Sequence, residues 1–308
     1  MFIVCGEALM DVFATADTPT GTLMDARIGG SPLNVAIGLA RLAQPVAFFG
    51  ALSAGFLGDR LARALAEEGV SAECVARLDA PTTLGLVGLD ARGVPSYAFY
   101  GEGCADRLLP LAALESVPAA ASALHFGSYA MVVEPVASTQ RALVERLLGR
   151  VLVAYDPNIR LNVEPDLQRW RDALAWMLPR THLLKISDED LGLLYPGQAP
   201  EALAAAWLNA GVELVVLTLG GDGATAWTDS VRVDVPGRPV AVIDTVGAGD
   251  TFQAALLTWL AEHGRLVPGG LRTLNAAQLG EGLAFSAGAA AITCGRRGAD
   301  MPRRDELT

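Results

Sequence analysis

Short apolar runs alternate along the chain with longer stretches whose apolar positions recur at helical spacing. The apolar runs cover residues 2–5, 46–49, 123–126, 151–155, 182–186 and 214–217. They have the length and character of buried strands. The helical stretches cover residues 33–42, 58–68, 136–148, 166–178 and 201–209. This alternation predicts an α/β fold with a mostly parallel sheet that is covered by helices on both faces.

Two segments interrupt this alternation. Residues 12–28 are small and polar without a helical period, and residues 82–100 form two β-like runs around an Asp-Ala-Arg-Gly turn at 90–93. Such a turn between two β-like runs is a hairpin signal. We interpret the two segments, about 12–28 and 82–103, as a small lid of β-strands within a single domain of residues 1–308. Two ordinary surface excursions are the alternative.

Composition narrows the class of protein. A net charge of −11 argues against nucleic acid or an anionic membrane as the main partner. No uncharged apolar run approaches the roughly 20 residues of a spanning helix, and no signal peptide is visible. The cysteines show no Cys-x-x-Cys pair and indicate free thiols in a reducing cytoplasm: Cys5, Cys74, Cys104 and Cys294.

The most informative motif is Asp-Thr-Val-Gly-Ala-Gly-Asp at residues 244–250, between a predicted strand at 239–243 and a predicted helix at 252–260. Gly247 and Gly249 let the backbone bend and bring N–H groups close to an anion, and the helix dipole adds to this. A carboxylate would repel a bound phosphate unless Asp250 faces the second reactant and takes a proton from its hydroxyl. The alternative is that Asp250 only caps the helix.

The same glycines keep a second class of protein open. Residues 247–249 are part of a dinucleotide fingerprint, although its third glycine position holds Phe252. A nicotinamide-dependent oxidoreductase is therefore the alternative from another class. A Walker A loop, Gly-x-x-x-x-Gly-Lys-Ser/Thr, does not occur in the sequence.

A second glycine motif lies near the beginning of the chain. Ser31 fits an N-cap and Pro32 the first position of a helix. Asn34, in the first turn, carries a donor and an acceptor in one side chain, which suits sugar hydroxyls. Asp11 follows the first strand and could bind the same ligand. The alternatives are that Asn34 belongs to the helix cap and that Asp11 is a solvated loop carboxylate.

Together these motifs resemble the PfkB (ribokinase-like) carbohydrate kinase family. The family's two signatures correspond to residues 29–42 and 244–250, and residues 6–11, 105–106 and 156–160 are most similar to bacterial fructokinases. The resemblance implies a ribokinase-like three-layer α/β/α sandwich with a β lid. It also implies transfer of the γ-phosphate of ATP to a primary hydroxyl of a sugar. Fructose is the expected sugar, and ribose, 2-keto-3-deoxygluconate or a nucleoside are alternatives.

The resemblance also implies roles for individual residues. Asp250 would be the base, and the anion hole would consist of Gly247, Ala248 and Gly249. Sugar contacts would fall on Asp11, Gly29, Gly30, Asn34 and Arg160. Nucleotide contacts would fall on Lys185, Thr218, Gly220, Gly221, Gly223 and Asn275. A surface position at a strand end is the alternative for Lys185.

Metal sites follow from the same resemblance. The family's Asn-x-x-Glu motif, tied to Mg²⁺, appears at 185–188 with lysine in place of asparagine, which leaves Asp188 or Glu189 as the acidic group. A K⁺ site would use Asp244, Val246, Thr293, Arg296 and Gly298. In the alternative, Asp244 only stabilises its turn by a hydrogen bond.

Two further expectations concern the lid. Many fructokinases have an arginine near Tyr100, where this chain has Gly101. This departure bears on the identity of the sugar. The exposed edges of lid strands could pair with another subunit, which predicts a homodimer.

Overall fold

The computed structural model describes residues 1–89 and 95–307. In this part of the chain the strands are β1 (Phe2–Cys5), β2 (Leu9–Thr18), β3 (Gly21–Gly29), β4 (Val46–Ser53), β5 (Val75–Leu78), β6 (Leu84–Leu89), β7 (Pro95–Tyr100), β8 (Ala123–Gly127), β9 (Leu152–Asp156), β10 (Leu183–Ser187), β11 (Leu214–Thr218), β12 (Ala224–Trp227) and β13 (Arg232–Val235). The helices are α1 (Ser31–Arg41), α2 (Phe56–Glu67), α3 (Val136–Leu147), α4 (Leu167–Met177), α5 (Asp188–Leu194), α6 (Pro200–Asn209), α7 (Ala248–Glu262) and α8 (Ala276–Cys294).

The main sheet has nine strands in the order β13-β12-β11-β10-β9-β8-β1-β4-β5. Its strands pair in parallel, except that β12 runs antiparallel to both neighbours. Because successive side chains of a strand point to opposite faces, Ile3 joins the buried cluster that contains α3 and α4. Phe2 and Val4 join the cluster that contains α1, α7 and α8. Helices therefore cover both faces, and the predicted three-layer α/β/α architecture is confirmed.

A second sheet of four strands, in the order β3-β2-β6-β7, forms the lid sheet. Strands β2 and β3 form an antiparallel hairpin with an irregularity between Ala14 and Ala16, and β2 pairs in parallel with β6. The hairpin turn expected at residues 90–93 lies outside the described residues. Strand β2 begins at Leu9, so the lid sheet begins directly after the short loop that follows β1.

Two local expectations are wrong. The segment 239–243 is not a strand: Val242 and Ile243 are exposed, and the Ile243 amide donates to the carbonyl of Cys294 instead of a neighbouring strand. Ser31 is not the N-cap of α1, because that position belongs to Gly30 at a φ of 110°. A left-handed backbone of this kind favours glycine, and a Cβ at Gly30 would stand 2.7 Å from the carbonyl oxygen of Glu7.

Candidate active site

A cavity of about 360 Å³ opens at the carboxyl ends of the central strands. The strands β10, β9, β8 and β1 are consecutive and parallel, so the residues that follow them meet at one edge of the sheet, the usual place for a ligand in such folds. The first turns of α1 and α7 complete the wall. The lining residues are Glu7, Leu9, Asp11, Gly30, Ser31, Asn34, Phe99, Ser128, Tyr129, Asp156, Asn158, Arg160, Lys185, Ser187, Glu189, Asp190, Thr218, Thr245, Val246, Gly247, Gly249 and Asp250.

Asp250 lies in the first turn of α7 and is held by α1. The Ser31 hydroxyl donates to its Oδ1 at 2.6 Å, and the Asn34 amide donates to its Oδ2 at 2.9 Å. Burial raises the pKa of Asp250, and the hydrogen bonds from Ser31 and Asn34 and the charge of Lys185 oppose that shift. The carboxylate thus bonds to another helix, which speaks against a role limited to capping α7.

The glycine turn before α7 fits closely between its neighbours. Gly247 has a φ of 79°, and a Cβ there would stand 2.5 Å from the Cβ of Ala299. A Cβ at Gly249 would stand 3.5 Å from the Lys185 Nζ. The first amides of a helix have no acceptor inside it, and among the described residues the amides of Gly249 and Asp250 have no backbone acceptor in loops or turns. Gly247 and Gly249 line the cavity, whereas Ala248 does not.

Lys185 is buried and forms an ion pair with Asp156. Its Nζ lies 2.6 Å from the Asp156 Oδ2, and the two side chains are 4% and 6% exposed. A surface position at a strand end, the alternative considered for Lys185, is wrong. Both residues line the cavity, and because Lys185 lies next to Gly249, a positive charge stands close to the amides of the glycine turn.

Four of the five residues assigned to sugar contacts line the cavity. Asp11, on β2, has a pKa that burial raises to about 6, against the opposing charge of Arg160. Asn34, Gly30 and Arg160 also line the cavity. Gly29 does not line it, but a Cβ there would stand 2.2 Å from the Asp11 Oδ2. Gly29 therefore leaves room for the Asp11 carboxylate.

Comparison with known proteins agrees with this geometry. A family model described as pfkB family carbohydrate kinase matches residues 1–305. The chain belongs to the pfkB family of carbohydrate kinases. This membership confirms the resemblance inferred from the two glycine motifs, and it does not favour the nicotinamide-dependent alternative.

Individual relatives of this pfkB kinase are fructokinases. A fructokinase from Rhizobium leguminosarum bv. trifolii is 37% identical over 260 residues, which cover 84% of this chain and 79% of that protein. The crystal structure of a Xylella fastidiosa fructokinase with bound ATP has a TM-score of 0.88 at 27% identity and covers 99% of this chain and 96% of that one. A double mutant of a Vibrio cholerae O395 fructokinase, with fructose, ADP and a potassium ion bound, has a TM-score of 0.82 at 26% identity and covers 99% of this chain and 96% of that one.

The residues assigned to the nucleotide of this kinase lie farther from the cavity, apart from Lys185 and Thr218. Gly220 and Gly221 belong to a short 3-10 turn after β11 and do not line the cavity. A Cβ at Gly223 would stand 2.1 Å from the Val235 carbonyl, so this glycine is required by the packing of β13. Asn275 caps α8 in a reciprocal box with Gln278.

The acidic group beside β10 differs from the expected one. Asp188 is exposed and does not line the cavity, whereas Glu189 is exposed and does. Asp190 is buried and accepts a hydrogen bond from the Ile159 amide at 3.2 Å. Burial and the nearby Asp156 raise its pKa to about 6. The sequence interpretation missed Asp190 because it did not predict α5, the helix that turns this residue inward.

Behind the glycine turn, Asp244 joins two segments. Its Oδ1 accepts from the Val246 amide at 3.1 Å and its Oδ2 from the Gly298 amide at 2.8 Å. The Thr293 hydroxyl lies 2.9 Å from that of Thr251. Arg296 forms ion pairs with Glu306 and Asp300 and none with Asp244. Within residues 1–89 and 95–307 no group of three or more His, Cys, Asp or Glu side chains could hold a metal ion.

Several lining residues were not among the predicted ones, above all Ser31, Asp156, Glu7 and Ser128. The available signal was their position directly after buried parallel strands or next to a glycine pair. None of the helices described here is both long and apolar enough to cross a membrane.

Proposed function

We propose that this pfkB kinase is an ATP-dependent fructokinase with Asp250 as its catalytic base. The observation that carries the proposal is the buried Asp250 carboxylate at the end of the glycine turn, held by Ser31 and Asn34. The similarity to fructokinases supports fructose as the sugar substrate. A raised pKa suits a base that must take a proton from a sugar hydroxyl and release it later.

Several residues of the cavity are suited to bind the sugar. Asp11, Gly30, Asn34 and Arg160 line the cavity, where they would orient the sugar with its primary hydroxyl towards Asp250. Proton removal by Asp250 would let that hydroxyl attack the γ-phosphorus in line. A positioned base of this kind typically contributes about 10²–10⁴ in rate.

The glycine turn and Lys185 suit the phosphate. The amides of Gly249 and Asp250 and the helix dipole of α7 favour the charge that develops on the transferring group. Lys185 adds a fixed positive charge close to the turn. Because it is paired with Asp156, its ammonium is already positioned before any phosphate binds.

The metal ions belong to the same proposal. Carboxylate oxygens suit Mg²⁺, and Glu189 and Asp190 are the carboxylates beside β10 that line the cavity. When bound, Mg²⁺ would neutralise charge on the nucleotide phosphates. K⁺ would bind near Asp244, where the Val246 carbonyl and the segment 293–298 supply oxygen atoms. The potassium ion bound in the Vibrio cholerae relative supports binding of K⁺ by this kinase.

The charges of the cavity favour a neutral acceptor. Asp11 and Asp250 would face a sugar there, together with the guanidinium of Arg160. An acceptor with its own carboxylate, such as 2-keto-3-deoxygluconate, would be repelled by Asp11. Ribose and nucleosides are neutral and stay the alternatives to fructose.

A screen of ADP release over hexoses, pentoses, keto-acids and nucleosides tests the substrate. We expect fructose to give the highest kcat/KM, because the relatives are fructokinases. A clearly higher value for ribose or 2-keto-3-deoxygluconate would contradict fructose and leave the sugar kinase activity standing. If NAD and not ATP analogues raised the melting temperature, that result would contradict both fructose as the substrate and the sugar kinase activity.

Two predictions concern the whole protein. A homodimer through the lid sheet stays a prediction, supported by the exposed Leu23 and Met24 on the edge strand β3. A reducing cytoplasm also stays a prediction, and it agrees with four cysteines that form no disulfide.

A further inference from the structure

A polar wall, defined by Glu7, Ser128 and Asn158, forms part of the lining of the cavity. Glu7 follows β1, Ser128 follows β8 and Asn158 follows β9. These strands are adjacent and parallel in the main sheet. The three residues therefore converge although more than a hundred positions of sequence separate the first from the other two, and all of them line the cavity.

Each member of the polar wall has a buried atom that finds no hydrogen-bond partner among the described residues. These atoms are the Glu7 Oε2, the Ser128 Oγ and the Asn158 Nδ2. The Ser128 hydroxyl lies next to the Glu7 carboxyl group, but no hydrogen bond of normal geometry joins the two groups. Burying a polar group without a partner is energetically costly, so nearly all such groups are paired in native proteins. Three unpaired atoms in one cavity wall indicate that a polar ligand supplies the partners.

The backbone conformation of the polar wall also indicates a ligand site. Ser128 has a φ of 59° and Asn158 a φ of 41°. Residues other than glycine rarely adopt this left-handed conformation, and where they do the position is often a ligand site. The fold thus holds two of these three cavity-lining residues in uncommon backbone conformations.

Glu7 is a neutral acid under ordinary conditions. Its side chain is buried, and burial raises its pKa to about 8, to which the nearby carboxylate of Asp106 adds. The Ser128 hydroxyl and the charge of Arg160 oppose this shift. Tyr129 is the other titratable group that faces Glu7, and it donates to Asp106 at 2.8 Å. A neutral carboxyl group can donate a hydrogen bond, which a carboxylate cannot do.

We propose that Glu7, as a neutral carboxylic acid, donates a hydrogen bond to a hydroxyl of the acceptor sugar and determines its binding together with Ser128 and Asn158. This inference rests on the proposed function, in which the cavity holds a neutral sugar. The sugar covers Glu7 and removes its last access to water, so an ionised Glu7 would be left buried near Asp106 with only the charge of Arg160 to favour it. Ionisation of Glu7 therefore weakens sugar binding.

The pH dependence of the sugar KM tests this directly. With a pKa of about 8 in the free enzyme, the fraction of neutral Glu7 falls about tenfold between pH 7 and pH 9, and the fructose KM should rise about tenfold over that interval. The ATP KM, measured in the same assays, should not follow it.

Two substitutions distinguish the effect of the Glu7 charge from the effect of its hydrogen bond to the sugar. Glu7→Gln keeps a donor and an acceptor without a titratable proton, so its fructose KM should stay within about threefold of wild type at pH 7 and remain flat to pH 9. Glu7→Ala should raise the fructose KM at least about tenfold at pH 7, with kcat changed far less. Glu115→Gln, an exposed position outside the cavity, is the matched control and should keep the wild-type profile.

Stability gives a second readout that does not need turnover. The folded-state pKa of Glu7 lies above its ordinary value of 4.5, so its contribution to stability is full below pH 4.5 and is lost as pH rises to about 8. Glutamine has no such loss. The melting temperature of Glu7→Gln relative to wild type should therefore increase across this interval.

The outcomes keep the inference separate from the proposed function. If another neutral sugar proves to be the substrate, the same profiles are measured with that sugar. An alkaline rise in the sugar KM that persists in Glu7→Gln, or an unchanged sugar KM in a folded Glu7→Ala, would overturn the inference while the kinase assignment stands. Absence of sugar phosphorylation in the wild type would contradict the proposed function. Calorimetric titration of fructose into wild type, Glu7→Gln and Glu7→Ala would then still decide whether Glu7 contacts the sugar.

Discussion

Asp250 is held by two side chains that lie at the other end of the sequence. Ser31 and Asn34 occupy the first turn of α1, and both donate to the carboxylate. Their hydrogen bonds fix its orientation, while burial raises its pKa above the ordinary value. A carboxylate that is both fixed and more basic than usual suits proton transfer better than it suits a purely structural role.

The first prediction concerns this carboxylate. Asp250→Asn keeps the size and polarity of the side chain but cannot take a proton, so kcat should fall at least about a hundredfold. The ATP KM should change little, because the amides of the glycine turn are untouched. Asp79→Asn, at an exposed site outside the cavity, is the control. Turnover near that of wild type in Asp250→Asn would show that Asp250 is not the base, and loss of its melting transition would indicate a structural role.

The second prediction concerns the ion pair of Lys185 with Asp156. Lys185→Met leaves Asp156 buried without a partner, which should cost about 3–5 kcal/mol of unfolding free energy. The double variant Lys185→Met with Asp156→Asn removes the unpaired charge and should recover most of that loss. If Lys185 acts on the phosphate, the double variant stays strongly impaired in kcat in spite of its recovered stability. Wild-type kcat in the double variant would restrict Lys185 to a structural role.

At the scale of elements, the sequence predicted what is local. The core strands and the helix α7 follow from hydrophobic spacing, and the glycine turn follows from Gly247, whose φ of 79° favours glycine. The contact between Ser31 and Asp250 joins residues 219 positions apart and depends on the order of strands in the sheet. Ser31 fits an N-cap by residue type, but Gly30 takes that position because of its left-handed backbone.

The difference between local sequence patterns and three-dimensional structure also explains why the buried acidic residue beside β10, Asp190, was not predicted. Asp188, Glu189 and Asp190 are consecutive, and only the start of α5 decides which of them turns inward. Residue type alone does not contain that information. The apolar segment 239–243 shows the opposite case, in which a strand-like composition finds no neighbouring strand to pair with.

The third prediction concerns the two segments that Asp244 joins. We expect kcat to fall roughly threefold or more when potassium is replaced by a bulky organic cation at fixed ionic strength, because the glycine turn would lose its supporting cation. Asp244→Ala removes the hydrogen bonds to Val246 and Gly298 and should abolish any activation by potassium. Unchanged kcat and KM without potassium would show that Asp244 acts through hydrogen bonds alone.

At the scale of the whole molecule, the lid sheet and the main sheet share the cavity. Strand β2 carries Asp11 and β7 carries Phe99, and both residues line the cavity with groups from the main sheet. The lid sheet ends in the edge strands β3 and β7. An exposed edge strand offers unpaired backbone groups to another chain, so any partner on the lid sheet would also influence the cavity.

The last prediction is that the protein forms a homodimer through the lid sheet. Leu23 and Met24 on β3 are 58% and 53% exposed, and lysines at both positions would place charge on the proposed interface. Light scattering after size exclusion should give a dimer mass for wild type and a monomer mass for the variant. Val267→Lys, which changes another exposed apolar residue outside the lid sheet, should remain a dimer. A wild-type monomer at every concentration would refute the prediction. A variant that stays dimeric would place the interface elsewhere, and a raised fructose KM in the monomeric variant would show that the partner subunit supports the lid over the sugar.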